Sequence, residues 1–162
     1  MAIPVKIKEE DDDGNNPTLD AFIAETGIAV NYLVDIDDNN IDHRAIARQI
    51  RELRLPLWTF RSKSGGAHLY MFLENPMPAV QVVQALNNWS AALGYPSVEI
   101  FPKQTRRGTN DLGEPLPGNW INLPYYGAEQ STRYCVAEKG ALLPEEFVSL
   151  AENSRANSSD LN

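Results

Sequence analysis

The chain has 162 residues, 43% of them hydrophobic, with one cysteine, two histidines and a formal net charge of −8. That is material for one compact core, and it excludes an internal disulfide, a multi-cysteine zinc site and a histidine-rich metal centre. Carboxylates remain as ligands, which favours a hard divalent cation such as magnesium or manganese, and with neither a long apolar run nor a signal-peptide pattern a cytoplasmic protein without a membrane partner is expected.

Taken in chain order, residues 1–17 read as an acidic flexible arm, residues 18–152 as the domain and residues 153–162 (NSRANSSDLN) as a disordered tail. A short amphipathic segment around Leu19, Phe22 and Ile23 leads out of the arm. The run Val30 to Asp37 is apolar and β-branched, as a central strand should be, and ends in the polar turn DDNN. Asp42 is placed to cap a helix reaching about Leu53, with Ile46, Ile50 and Leu53 inside and Arg44, Arg48 and Arg51 outside. Pro56 ends it. Strands at Leu57–Arg61 and His68–Leu73 flank the loop SKSGGA and read as a hairpin. After Pro76 and Pro78, the residues Val82, Val83, Leu86, Trp89 and Leu93 recur at helical spacing up to a capping Gly94. Strands are then expected at Val98–Phe101, Trp120–Leu123 and Arg133–Ala137, the last holding Cys135 in a buried position, and Pro144 opens a final short helix. The order of elements indicates an α+β fold, a sheet layered with helices.

Charge is spread unevenly over these elements. Residues 1–20 net −4 and residues 145–162 net −3, which leaves −1 for the 124 residues between them. Inside that middle, Arg44, Arg48, Arg51, Arg54, Arg61 and Lys63 form one basic cluster and Lys103, Arg106 and Arg107 another. The overall acidity therefore does not exclude a nucleic-acid partner.

Four features can carry chemistry. Asp35 and Asp37, two apart on a strand, leave one face with Cα atoms roughly 6 to 7 Å apart and can share a metal pair, while Tyr32, Val34 and Ile36 pack the other face; solvated turn acids are the plain alternative. The loop Ser62-Lys63-Ser64-Gly65-Gly66-Ala67 offers hydroxyls, an ammonium and backbone N–H groups suited to a triphosphate, or is simply a hairpin turn. His68 leaves that loop on the face of Tyr70 and Phe72, where it can donate to a phosphate oxygen or serve structure alone. Glu99, flanked by apolar residues, becomes a third carboxylate if its strand neighbours that of Asp35; a Glu99–Lys103 ion pair is the competing role.

Taken together, VDID at 34–37, RSKSGGAHLYMF at 61–72, EIFPKQ at 99–104 and GNWINLPYY at 118–126 resemble, in order and spacing, the archaeo-eukaryotic primase superfamily, above all the primase-polymerase domains of phage replication proteins and conflict systems. The resemblance spans residues 30 to 127. It implies an RRM-like sheet on which Asp35, Asp37 and Glu99 are the catalytic and metal-binding acids for two magnesium or manganese ions. Ser62, Ser64 and His68 would hold the triphosphate, with Lys63, Gly66 and Lys103 beside it and Asn119 shaping the site. The implied activity is that of a DNA primase or polymerase, joining nucleoside triphosphates on a single-stranded DNA template with release of pyrophosphate. Only about 30 residues precede VDID, where many relatives carry a longer module, and the helicase or zinc-binding module commonly fused to them is not among these residues, which leaves open a standalone minimal enzyme, a split subunit or an excised domain. Two rivals remain: a catalytically silent nucleotide- or nucleic-acid-binding module, and a metal-dependent nuclease, which would have no need of the Ser62–His68 loop.

Overall fold

The computed structural model describes residues 29–101, 103, 110–113, 124–125 and 131–161. In chain order the elements are β1 (Ala29–Ile36), α1 (His43–Glu52), β2 (Trp58–Arg61), β3 (Ala67–Met77), α2 (Ala79–Ala92), β4 (Glu99–Phe101), β5 (Val136–Ala137), β6 (Gly140–Ala141) and α3 (Pro144–Glu152), followed by a 3-10 turn at Ser158–Leu161. The fold is mixed α+β. A four-stranded antiparallel sheet has the order β2-β3-β1-β4, so β3 lies between β1 and β2, and β5 with β6 forms a separate two-stranded ribbon.

Alternation along the two central strands divides the core between the faces of the sheet. Tyr32, Val34 and Ile36 of β1 join Leu69, Met71 and Leu73 of β3 on one face, against Ile46 and Ile50 of α1 and Val82 and Leu86 of α2. On the other face Leu33, Phe60, Tyr70 and Phe101 pack with Cys135 and with Phe147 and Ala151 of α3. A helix pair thus covers one side, and α3 with the Cys135 segment covers part of the other.

Local chemistry explains most boundaries. The Asp42 side chain accepts from the Arg44 and Ala45 amides at 3.0 and 3.1 Å, which fixes the start of α1. Gly94, with φ +90°, follows the Leu93 cap of α2. The Glu146 carboxylate accepts from the Leu143 amide at 2.9 Å and closes the first turn of α3 behind Pro144.

Several expectations need correction. Leu53 does not belong to the inner stripe of α1; it caps the helix at 47% exposure, and Leu57 takes the buried place after the turn at Arg54. Pro76 does not end the hairpin strand, because β3 runs on to Met77 through an irregular register opposite Ala29–Asn31, where a missing N–H costs no ladder bond. The expected strand at 133–137 is shorter: Cys135 forms a single bridge to Phe60, and Val136–Ala137 turns back on β6. The strand expected at 120–123 lies outside the described residues.

The tail is also not free. Ala156, 1% exposed, donates its N–H to the Phe72 carbonyl and accepts from the Glu74 amide, both at 2.8 Å, and so bridges the far end of β3. Among the described residues no helix is long and apolar enough to cross a membrane.

Candidate functional site

The register of the sheet sets four side chains in one row. Phe60 of β2 faces His68 of β3, His68 faces Asp35 of β1, and Asp35 faces Glu99 of β4. The next row along, Trp58, Tyr70, Leu33 and Phe101, is apolar and packs toward Phe147 of α3. The sheet face therefore changes from a packed aromatic layer to a polar margin within one residue pair. The condition on Glu99, a strand adjacent to that of Asp35, is met.

Within the row, the His68 Nε2 lies 3.4 Å from the Asp35 Oδ1, with side chains 12% and 30% exposed. Tyr70, one step inward, stacks nearly parallel to Phe72 at 6.1 Å and has its hydroxyl pKa raised by burial, the Arg133 charge opposing and that of Asp35 adding. Glu99 is electrostatically engaged elsewhere, because its Oε1 takes the Lys103 ammonium at 2.8 Å, and Lys103 also rides 5.1 Å from the Phe101 ring centroid. That exposed pair contributes about 0.2–1 kcal/mol at most, so a competing ligand can displace it. Asp37 comes just after the last residue of β1 and is exposed; the turn that begins there holds the Asn40 amide on Asp38. Among the described residues no three His, Cys, Asp or Glu side chains converge as a metal-holding group.

The Ser62–Gly66 loop is a tight turn closed by Ser62 N–H to the Gly66 carbonyl at 2.8 Å and by Gly65 N–H to the Ser62 carbonyl at 3.2 Å. Ser62 is buried, and its hydroxyl is 3.0 Å from that of Ser64, whereas Lys63 and Ser64 are exposed at the tip. Gly66 seats the loop on the end of β1: a Cβ there would stand 2.3 Å from the Ile36 carbonyl oxygen and 3.4 Å from the Asp37 Cα. The loop and the Asp35–Asp37 segment are thus held in van der Waals contact by an absent side chain.

His43 is a residue that spacing does not reveal. Its Nε2 lies 2.9 Å from the Gly66 carbonyl oxygen, tying the first residue of α1 to the loop across 23 positions of sequence. A basic residue at the start of a helix, next to the capping Asp42, is the only trace of this in the sequence. Asn119 lies outside the described residues. The chain matches no protein-family model, and no curated protein is detectably similar to it.

Proposed function

We propose that the protein is a nucleotidyltransferase of the primase-polymerase kind, joining nucleoside triphosphates on a single-stranded DNA template and releasing pyrophosphate. One observation carries this reading: Asp35, on the central strand, is flanked by His68 and Glu99 in a polar row, and the Ser62–Gly66 loop packs directly on the end of the same strand. An acidic centre beside a small polar loop suits nucleotidyl transfer, the acids for a divalent ion and the loop for phosphate. The succession βαββαβ with the order β2-β3-β1-β4 is also that of an RRM-like sheet, compatible with the archaeo-eukaryotic primase superfamily that the motifs resemble.

The residues that would hold magnesium or manganese are Asp35 and Asp37, two hard carboxylates at the end of β1, and Glu99, now paired with Lys103, would have to give up that ammonium to add a third. A divalent ion bound there supplies neutralisation of the charge that builds on the α-phosphate and on the leaving pyrophosphate. The rest of the work falls to side chains of this chain. The exposed Lys63 ammonium and the Lys63 and Ser64 amides at the loop tip bind the triphosphate, and His68, in the row beside Asp35, donates a hydrogen bond to one of its oxygens. Partners on this reading are a DNA template and a separate helicase or accessory replication subunit.

The test is incorporation of labelled nucleotides on single-stranded DNA, with and without a primer, in magnesium or manganese. Product from wild type and none from Asp35→Asn or Asp37→Asn supports the assignment; full activity in either folded variant sinks it. The engagement of Glu99 by Lys103 favours one other reading, a silent binding module, and that reading predicts triphosphate binding with no product under every condition.

A further inference from the structure

Beside the loop opens a cleft of about 610 Å³ between the approach to α1, the end of β2 and the β5–β6 ribbon. Its walls include Asn39, Asn40, Arg44, Arg61, Tyr134 and Val136. A space of this volume suits an organic ligand far larger than a lone ion. Of the charged residues that line it, the two arginines Arg44 and Arg61 outnumber the one carboxylate, Asp42. Among the described residues neither Arg44 nor Arg61 forms an ion pair, nor does Arg48 one helical turn further along the exposed face of α1. Asp42, which caps α1, also lines the cleft and Asp38 lies beside it, both keeping their charge while accepting from backbone amides, whereas Glu138 is paired with Arg51.

The guanidinium of Arg61 is held in place, its Nη1 donating to the Ser62 and Thr132 carbonyls at 3.3 and 3.2 Å, so a phosphate meets a fixed donor rather than a mobile one. Half-buried Tyr134 adds an aromatic residue to the wall, and the two asparagines add amide groups able to meet base edges. One fixed arginine, a second on the same wall, a further arginine along the same helix face and an aromatic residue in one open groove form a combination suited to holding single strands without regard to sequence. The groove also adjoins the proposed chemistry, since a Cβ on Gly65 of the loop would lie 3.6 Å from the Arg61 Nη2 and 3.7 Å from the Asn39 Oδ1.

We propose that this cleft is the seat of a single-stranded nucleic-acid segment, with phosphates on Arg44 and Arg61, the strand continuing past Arg48, and a base against Tyr134. The choice of nucleic acid as the partner rests on the polymerase reading above; the location of the groove rests on the cleft itself.

The experiment is fluorescence anisotropy with a short labelled oligo-dT, without nucleotide or metal, over a series of salt concentrations. Arg44→Ala and Arg48→Ala should each weaken binding several-fold and lower the slope of log affinity against log salt by about 0.7, the value for one phosphate contact on a single strand. Tyr134→Ala should weaken binding while Tyr134→Phe retains it, and Arg155→Ala, on the exposed segment at the opposite end of β3, should leave it unchanged. Wild-type protein that does not bind the oligonucleotide, or Arg44→Ala protein with unchanged affinity and slope, overturns the proposal. So does Arg44→Ala protein that loses affinity for a labelled nucleoside triphosphate instead, which would make the cleft a nucleotide site. Incorporation by the wild type, measured beside binding, separates the two claims. Arg44-dependent oligonucleotide binding with no incorporation by wild type removes only the polymerase reading, and incorporation with Arg44-independent binding removes only this one.

Discussion

Gly66 and Gly65 are adjacent glycines with different reasons to be there. Gly65 has φ +106°, a conformation that side chains rarely adopt, and the constraint is on its own backbone. At Gly66 the constraint is a neighbour: the atom that would stand 2.3 Å from an added methyl is a carbonyl oxygen of the central strand, which cannot move without breaking the register of β1 with β3. Gly66→Ala is therefore expected to cost about 1–3 kcal/mol or more, as overpacking against a rigid wall does, and to loosen the His43 tether to the same residue. Urea denaturation reads the first effect; a midpoint equal to that of wild type would show that the loop does not sit on the strand. Cys135 belongs to the same scale. Fully buried, its thiol is pushed up from 9.0 to about 12 by burial, so at neutral pH it stays a protonated, unreactive apolar group. In the unfolded chain the thiol ionises near 9.0, so its contribution to stability is complete below that pH and is lost as the pH rises through about 12. A thiol reagent should label the native protein only as fast as it unfolds, and rapid labelling of folded protein at neutral pH would contradict this.

Among the elements, α3 decides how the polar margin of the sheet meets the packed part. Phe147 contacts Phe60 at 4.9 Å and Trp58 at 5.5 Å between ring centroids, both in edge-to-face geometry, so one residue joins α3 to β2. Phe147→Ala is expected to destabilise the fold by about 3–5 kcal/mol. A calorimetric melt would show it, and a loss under about 1 kcal/mol would mean that α3 only rests on the sheet. The elements also show what a sequence can disclose. The β-branched run ending in DDNN, the Asp42 cap and the Val82–Leu93 periodicity each announce themselves within a few residues, and each is found within one to three residues of the expected boundary. The pairing of β4 with β1 is legible only as a condition on Glu99, since three residues of strand carry no information about their neighbour. Period alone puts Leu53 inside, and the period says nothing about where the turn at Arg54 swings the chain outward. His43 is invisible because its role is a bond to a carbonyl 23 residues away.

For the molecule as a whole, the strongest departure from local expectation lies at the end of the described chain. The composition of NSRANSSDLN offers no hydrophobic pattern, and any local criterion assigns it to solvent. What holds it is not its composition: one alanine fits against β3 and exchanges two backbone hydrogen bonds with Phe72 and Glu74, while Leu161 packs on the cluster under α2. Because backbone groups are the same in every residue, such pairing leaves no mark in a sequence. Removing residues 154–162 would free the N–H of Glu74 and the carbonyl of Phe72 and would uncover Leu73, now 3% exposed. Two hydrogen bonds at about 1 kcal/mol each, with the apolar area around Ala156 and Leu161, give an expected loss of about 2–4 kcal/mol. Guanidinium denaturation of the truncated chain should show a lower midpoint with nearly the same slope, because the area exposed by the rest of the domain hardly changes. The bridge sits at Leu73, whereas the loop and the cleft lie at the Ala67 end of β3, so below its melting temperature the truncated protein should bind oligo-dT as the whole chain does. An unchanged midpoint would mean that the segment is solvated after all, and a lowered midpoint with lost oligonucleotide binding would mean that the two ends of the sheet are coupled.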